Sequence, residues 1–360
     1  MHIPDGYLSP QTCGAFGVAM VPVWVTAGRR VRKVVKSRYV PLVAVGAAFS
    51  FLVMMFNVPI PDGTTAHAVG GVLVAVLLGP WAATVAVSIA LLIQALFFGD
   101  GGVLAFAANA FNMALVMPFV GYAVYRLLTR NAALTSARRA LAAGLAGYIG
   151  LNVAAQCAAL EFGLQPELFH RADGTPLYAP FHLSQTVPAM ALAHLTVAGL
   201  VEFAVTAGVV AYLQRANLPL LRVNHQAVPE TEADALPPRR LGWRWALVGL
   251  GVLVVLTPLG LLAPGGAFGE DAPGHLNLAR YGLRAVPAGL NEYNSFWSRA
   301  VLGGYGFNSG DHPVVGYLVS AVVGIAVVAL VVLGLFGLTR LLRRGDDDAE
   351  RPDEVRGSAS

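Results

Sequence analysis

The sequence predicts an all-α polytopic membrane protein, with a bundle of about seven helices followed by a two-helix membrane module. Three observations carry that prediction. Only 12% of the 360 residues are charged and 56% are hydrophobic, against about 25% charged in an ordinary soluble domain. Apolar runs near the roughly 20 residues needed to cross about 30 Å of hydrocarbon recur along the chain. The basic residues stand in short clusters between those runs, all on one side when nine runs are counted. That is the positive-inside pattern, and it is unlike the continuous basic face of a nucleic-acid binder.

The first eight residues, Met1-His2-Ile3-Pro4-Asp5-Gly6-Tyr7-Leu8, precede the first apolar run. They lack a basic leader with a short apolar core and a cleavage site, so the mature chain is expected to begin at Met1. Runs near 11–28 and 40–58 follow, separated by Arg29, Arg30, Arg32, Lys33, Lys36 and Arg38. Residues 66–98 must then hold two runs divided by Gly79-Pro80. At 1.5 Å per residue the first of these, 66–79, reaches only about 21 Å, too little to cross alone. A backbone that stops below the surface is tolerated only where it lines a cavity or packs in protein. His67 heads this short run and is therefore expected in a pocket open to the N-terminal side.

Further runs lie near 103–125, 140–162 and 185–213. Arg126, Arg130, Arg138 and Arg139 separate the first two, and Arg215, Arg222, Arg239, Arg240 and Arg244 follow the third. Loops 59–65 and 99–102 carry no Lys or Arg, and the long loops 163–184 and 264–313 only Arg171, Arg280, Arg284 and Arg299. These loops and the N-terminus are expected outside the cell membrane, with the C-terminus in the cytoplasm. Residues 1–215 thus read as one transmembrane domain and 216–243, rich in Pro, Glu and Arg, as a cytoplasmic linker. Residues 244–345 read as two runs, near 245–263 and 314–339, around an external loop, and 346–360 as a disordered charged tail.

The chemistry begins at the N-terminus. The α-amino group of Met1, the amide nitrogen of His2 and its imidazole Nδ1 can close two adjacent chelate rings on one cation, and His67 can add a fourth nitrogen. A planar set of four nitrogens suits Ni²⁺, Cu²⁺ or low-spin Co²⁺ better than tetrahedral Zn²⁺. Taken alone, a histidine at position 2 is more often chance, and one at a helix start more often a solvated or capping residue. Polar residues inside apolar runs are candidates for function. Asp100, in Gly99-Asp100-Gly101-Gly102, and Asn109 and Asn112, spaced i, i+3, are expected to face the same outer cavity, with Asp5, Thr64 and Thr65 as further lining candidates. Asn152 and Gln156 at i, i+4 read chiefly as helix-to-helix amides. His194 and Glu202 read as an interior pair or a proton or ion relay. Cys13 and Cys157 have no Cys-x-x-Cys spacing and read as small buried side chains.

Lysine occurs only at positions 33 and 36, so the chain holds no phosphate-binding G-x-x-x-x-G-K-[ST] loop and is not expected to hydrolyse ATP. It also lacks His-Glu-x-x-His and Gly-x-Ser-x-Gly. An intramembrane metal-dependent hydrolase would need a general base beside the metal, and His67 has no carboxylate at i±1 or i±4. A purely structural scaffold would leave both histidines dispensable.

The N-terminal octapeptide, Gly63-Thr64-Thr65-Ala66-His67-Ala68-Val69-Gly70-Gly71, Gly99-Asp100-Gly101-Gly102 and Asn109-Ala110-Phe111-Asn112-Met113 resemble the CbiM/NikM family over roughly residues 1–215. The family comprises cobalt and nickel substrate-binding components of energy-coupling-factor transporters. The resemblance implies Co²⁺ or Ni²⁺ as transported substrate, held by Met1, His2 and His67. It also implies a separate transmembrane coupling subunit and cytoplasmic ATP-binding subunits as partners. The second module resembles the PDGLE/CbiN-like extension in Thr257-Pro258-Leu259-Gly260-Leu261 and in Gly316-Tyr317-Leu318-Val319-Ser320-Ala321. The eponymous motif reads Pro287-Ala288-Gly289-Leu290-Asn291 here and has lost both acids, which weakens the case for a metal ligand in that loop.

Overall fold

The computed structural model describes residues 1–34, 40–60, 64–225, 243–263, 266–307 and 310–349. It is helical almost throughout, as the low charge and long apolar runs require. The first module contains α1 (Pro10–Val34), α2 (Val40–Met54), α3 (Gly71–Leu78), α4 (Pro80–Ile93), α5 (Phe106–Ala110), α6 (Met117–Leu128) and α7 (Ala137–Gly163). After these come α8 (Gln165–Leu168), α9 (Leu183–Ala193), α10 (Gly199–Ala216) and α11 (Leu218–Arg222). The second module contains α12 (Trp243–Leu256), α13 (Ala288–Tyr293) and α14 (Pro313–Ala349). A two-stranded antiparallel hairpin, β1 (Val58–Ile60) with β2 (Thr64–Ala66), interrupts the helices just before His67.

Among the described residues, five helical stretches are long and apolar enough to span a membrane: Pro80–Phe98, Phe106–Leu128, Ala137–Leu168, Leu183–Ala216 and Pro313–Leu338. The nine expected runs therefore divide into full spans and shorter pieces. α1 has 25 residues, but Gly, Pro22 and polar residues dilute its apolar character. α2 has only 15 residues, about 22 Å at 1.5 Å each. The expected run 66–79 is corrected most. Its head is strand and loop, and α3 has eight residues, about 12 Å of helix. α3 is apolar because it is buried inside the protein, with Gly71–Val76 and Leu78 all buried. Gly79, at φ 92°, turns the chain directly into α4, whose first residue, Pro80, needs no amide partner there.

α7 is the central post, contacting α6, α9 and α10. It begins at Ser136, whose hydroxyl accepts from the Arg138 amide, and it is rich in buried alanine and glycine. Small residues let neighbouring backbones come close where lipid supplies no hydrophobic drive, and a Cβ at Gly150 would collide with Met117 O. Large exposed apolar side chains such as Leu200, Val255 and Leu330 suit a lipid-facing surface.

The helices are broken by π turns at Gln94–Phe98, Phe111–Val116 and His194–Ala198, distortions often found at functional sites. The stretch expected as linker opens with packed structure: α11 contacts α10 and α3, and Asn224 donates to Ala75 O, Val76 O and Tyr122 Oη. The rest of it, 226–242, lies outside the described residues. α14 continues to Ala349, into the stretch expected as tail; 350–360 lie outside the described residues. α14 packs on α2 and α4, which seats the second module beside the first.

Candidate metal-binding site

Residues 1–9 form a strap threaded into the protein; Ile3 and Tyr7 are fully buried, and Met1, His2, Leu8 and Ser9 nearly so. Its backbone is tied on both sides. The Ile3 amide donates to Asn109 Oδ1 at 2.8 Å, and Ile3 O accepts from Asn109 Nδ2 at 3.0 Å and from the Gly102 amide at 2.9 Å. Asp5 accepts from the amides of Val103, Leu104 and Ala105, at 3.1, 2.7 and 3.2 Å. Burial pushes the Asp5 carboxyl up, and those three donors oppose it by favouring the charged form. Gly102 permits the approach, since a Cβ there would run into Asp5. Farther along, the Ser9 amide donates to Gln165 Oε1 at 2.9 Å, and the Tyr7 ring stacks on Phe181.

This anchoring brings His2 against His67, which is only 3% exposed. His2 Nδ1 and His67 Nε2 are 3.1 Å apart. The other ring nitrogens are engaged: His2 Nε2 with Gln94 Oε1 at 3.3 Å, and His67 Nδ1 with Ala68 O at 3.0 Å. Both partners are carbonyl oxygens that only accept, so both engaged nitrogens carry the proton. In neutral imidazoles of those tautomers, the two facing nitrogens present lone pairs. Asp100 Oδ1 adds a third acceptor 3.3 Å from His2 Nδ1. In those tautomers the three acceptors converge without a donor, an arrangement that a cation would satisfy. Metal–nitrogen bonds of about 2.0–2.1 Å put neighbouring donors of a planar site about 2.9 Å apart, near the spacing seen.

The Met1 amine pairs with Glu270 Oε1 of the second module at 3.1 Å. Among the described residues no three His, Cys, Asp or Glu side chains form a metal cage. The loop between α12 and α14 of the second module lies over the strap. The Tyr7 hydroxyl donates to Asp271 O at 2.7 Å, and Ala267 bridges to Thr65. A cavity of about 220 Å³ between strap and loop is lined by Asp5, Asp100, Glu270, Asp271 and Trp297 among others.

The structure thus brings Met1, His2, His67, Asp5, Asp100 and Asn109 together, and it moves three other candidates away. Asn112 lies in the π turn starting at Phe111 and donates to Glu161 Oε2 at 2.9 Å, whereas Asn109 holds the strap. Thr64 and Thr65 anchor the hairpin to Gly266 and Ala267 instead of lining the cavity. His194 and Glu202 are not paired: His194 Nδ1 meets Met190 O at 2.8 Å, while Glu202 Oε2 accepts from the amides of Val69 and Gly70. Asn152 donates to Tyr148 O and His194 O, a helix-to-helix role. The Pro287–Asn291 segment docks on the first module, with the Gly289 and Leu290 amides donating to Leu177 O. Gln94, Glu270 and Tyr305 were not singled out from sequence. Only Gln94 gave a signal, as a polar residue inside an apolar run.

Fold and site define a class: a multi-pass membrane protein that closes its own N-terminus over a buried pair of imidazoles. Residues 2–220 match the model of the CbiM family, the cobalt uptake substrate-specific transmembrane region. The chain belongs to that family. It is 52% identical over 359 residues to the fused nickel transport protein NikMN of Rhodobacter capsulatus, covering 96% of this chain and 99% of that protein. It is 45% identical to the probable fused nickel transport protein LarMN of Lactiplantibacillus plantarum, covering 93% and 97%. A crystal structure of a truncated transition metal transporter superposes with TM-score 0.56 at 56% identity, covering 59% of this chain and 98% of that one. The family and these relatives are metal transporters and not enzymes. The chain is accordingly a membrane component for metal transport.

Proposed function

We propose that this chain is the substrate-capture subunit of an energy-coupling-factor importer for Ni²⁺ or Co²⁺, holding the ion between the Met1 amine, the His2 amide, His2 Nδ1 and His67 Nε2. The observation that carries this reading is the pair of facing imidazole nitrogens 3.1 Å apart. Ni²⁺ is the favoured cargo, because relatives matching this chain over nearly its full length are named as nickel transport proteins. A planar nitrogen set also accords with Ni²⁺. Capture displaces Glu270 from the amine, which must shed its proton to ligate. The ion enters from outside, where the basic-poor loops lie, and separate coupling and ATP-binding subunits drive its release inward. The chain's lack of a phosphate-binding loop fits that division of labour.

The test is His67→Ala in the purified full chain, with metal content measured after equilibration with Ni²⁺. The substitution removes one of four ligating nitrogens and is expected to abolish high-affinity binding while the protein stays folded in detergent. Wild-type nickel content in His67→Ala would sink the four-nitrogen site.

A further inference from the structure

Tyr305 belongs to the external loop of the second module, yet its side chain ends among residues of the first. Its ring stacks on Phe98, with centroids 5.1 Å apart, meets Phe51 edge-on and lies 5.6 Å from Tyr317 of α14. Only 6% of the residue is exposed. Its backbone is held at φ 60°, a left-handed conformation that a residue with a side chain adopts only where its surroundings enforce it. The hydroxyl accepts from Gln94 Nε2 at 2.8 Å and donates to Asp100 Oδ2.

Those two bonds decide which way the Gln94 amide faces. Its NH₂ group finds its acceptors on the side of Tyr305 and Asp100, at 2.8 and 3.4 Å. Its carbonyl therefore faces His2 Nε2, and a carbonyl only accepts, which places the imidazole proton on Nε2. Rotated by half a turn, Gln94 would present NH₂ to His2 Nε2. That nitrogen would then have to accept, and the proton would move to Nδ1, the atom facing His67. We propose that Tyr305 is a positioning residue of the metal site: it fixes Gln94 in the orientation that keeps His2 Nδ1 bare for the ion. The fused module is then part of the binding site, acting through Gln94 and Asp100 without supplying a ligand. This rests on the reading that His2 and His67 bind the metal.

Nickel titration of the purified full chain tests it, followed by the absorption of the planar nickel–nitrogen centre, in wild type, Tyr305→Phe, Gln94→Ala, the double variant and His67→Ala. Tyr305→Phe removes one oxygen and leaves the ring in its aromatic pocket. It is expected to weaken nickel binding about 10- to 100-fold, the usual loss when a partner behind a ligating histidine is removed. Its spectrum at saturating nickel should match wild type, since all four nitrogens remain. Because Tyr305 acts through Gln94, the double variant should bind little worse than Gln94→Ala alone. Wild-type affinity in Tyr305→Phe, or losses that multiply in the double variant, would overturn the proposal. The other two proteins report separately on the site. If wild type binds and His67→Ala does not, the site stands whatever Tyr305→Phe does; if wild type binds no nickel, both readings fall.

Discussion

Glu202 accepts hydrogen bonds from the amides of Val69 and Gly70, at 2.8 and 3.0 Å, two and three residues beyond His67. The residue is fully buried, and Thr206 donates to its other oxygen. These amides open α3, where no earlier turn supplies acceptors, so a carboxyl at that point satisfies donors that would otherwise be orphaned. It thereby fixes the loop that aims His67 at His2. Removing the carboxyl in Glu202→Ala leaves two buried N–H groups without partners, at about 1–3 kcal/mol each. The expected outcome is a clear drop in melting temperature in detergent together with weaker nickel binding. Glu202→Gln, which keeps a carbonyl acceptor, should lose less. A melting curve for Glu202→Ala that overlays wild type would show that the loop is held some other way.

At the scale of elements, the strap, the 163–184 loop and the loop between α12 and α14 meet on one face: the Ala179 amide donates to Tyr7 O, and the Gly289 amide to Leu177 O. If that face is extracellular, Ala172→Cys should react with a membrane-impermeant thiol reagent added to intact cells. Asn131→Cys, between α6 and α7, should react only after permeabilisation; Ala172 and Asn131 are both exposed. The reverse labelling pattern would invert the topology. The spans from α4 onward were legible in the sequence because their apolar runs are long, and those of α6, α7, α10 and α14 are bounded at one end by arginines. α3 was misjudged as a longer run because hydropathy records how apolar a stretch is and not whether lipid or protein covers it. His67 was expected below the surface because a short helix leaves its head there, and it is buried against His2. Asn112 was expected beside Asn109 from i, i+3 spacing, which assumes an unbroken α-helix; it lies in a π turn and donates to Glu161. Glu270 and Tyr305 left no trace in local pattern; they meet Met1 and Asp100 across 269 and 205 residues of chain.

The molecule as a whole is arranged around its own first residue. The strap is buried under a loop from the far end of the chain, and the amine that would ligate the ion is held in the meantime by Glu270. A chelate built on the α-amine and the next amide depends on a single residue preceding His2, whereas a site of two imidazoles does not. The most direct measurement is bound Ni²⁺ per protein for the full chain carrying either an extra residue ahead of Met1 or a tag after Ser360, with both forms checked for membrane insertion. The terminal chelate predicts that the extended N-terminus inserts normally and retains little or no nickel, while the C-terminally tagged form binds one ion per chain. Equal nickel content in the two forms would contradict the role given to Met1.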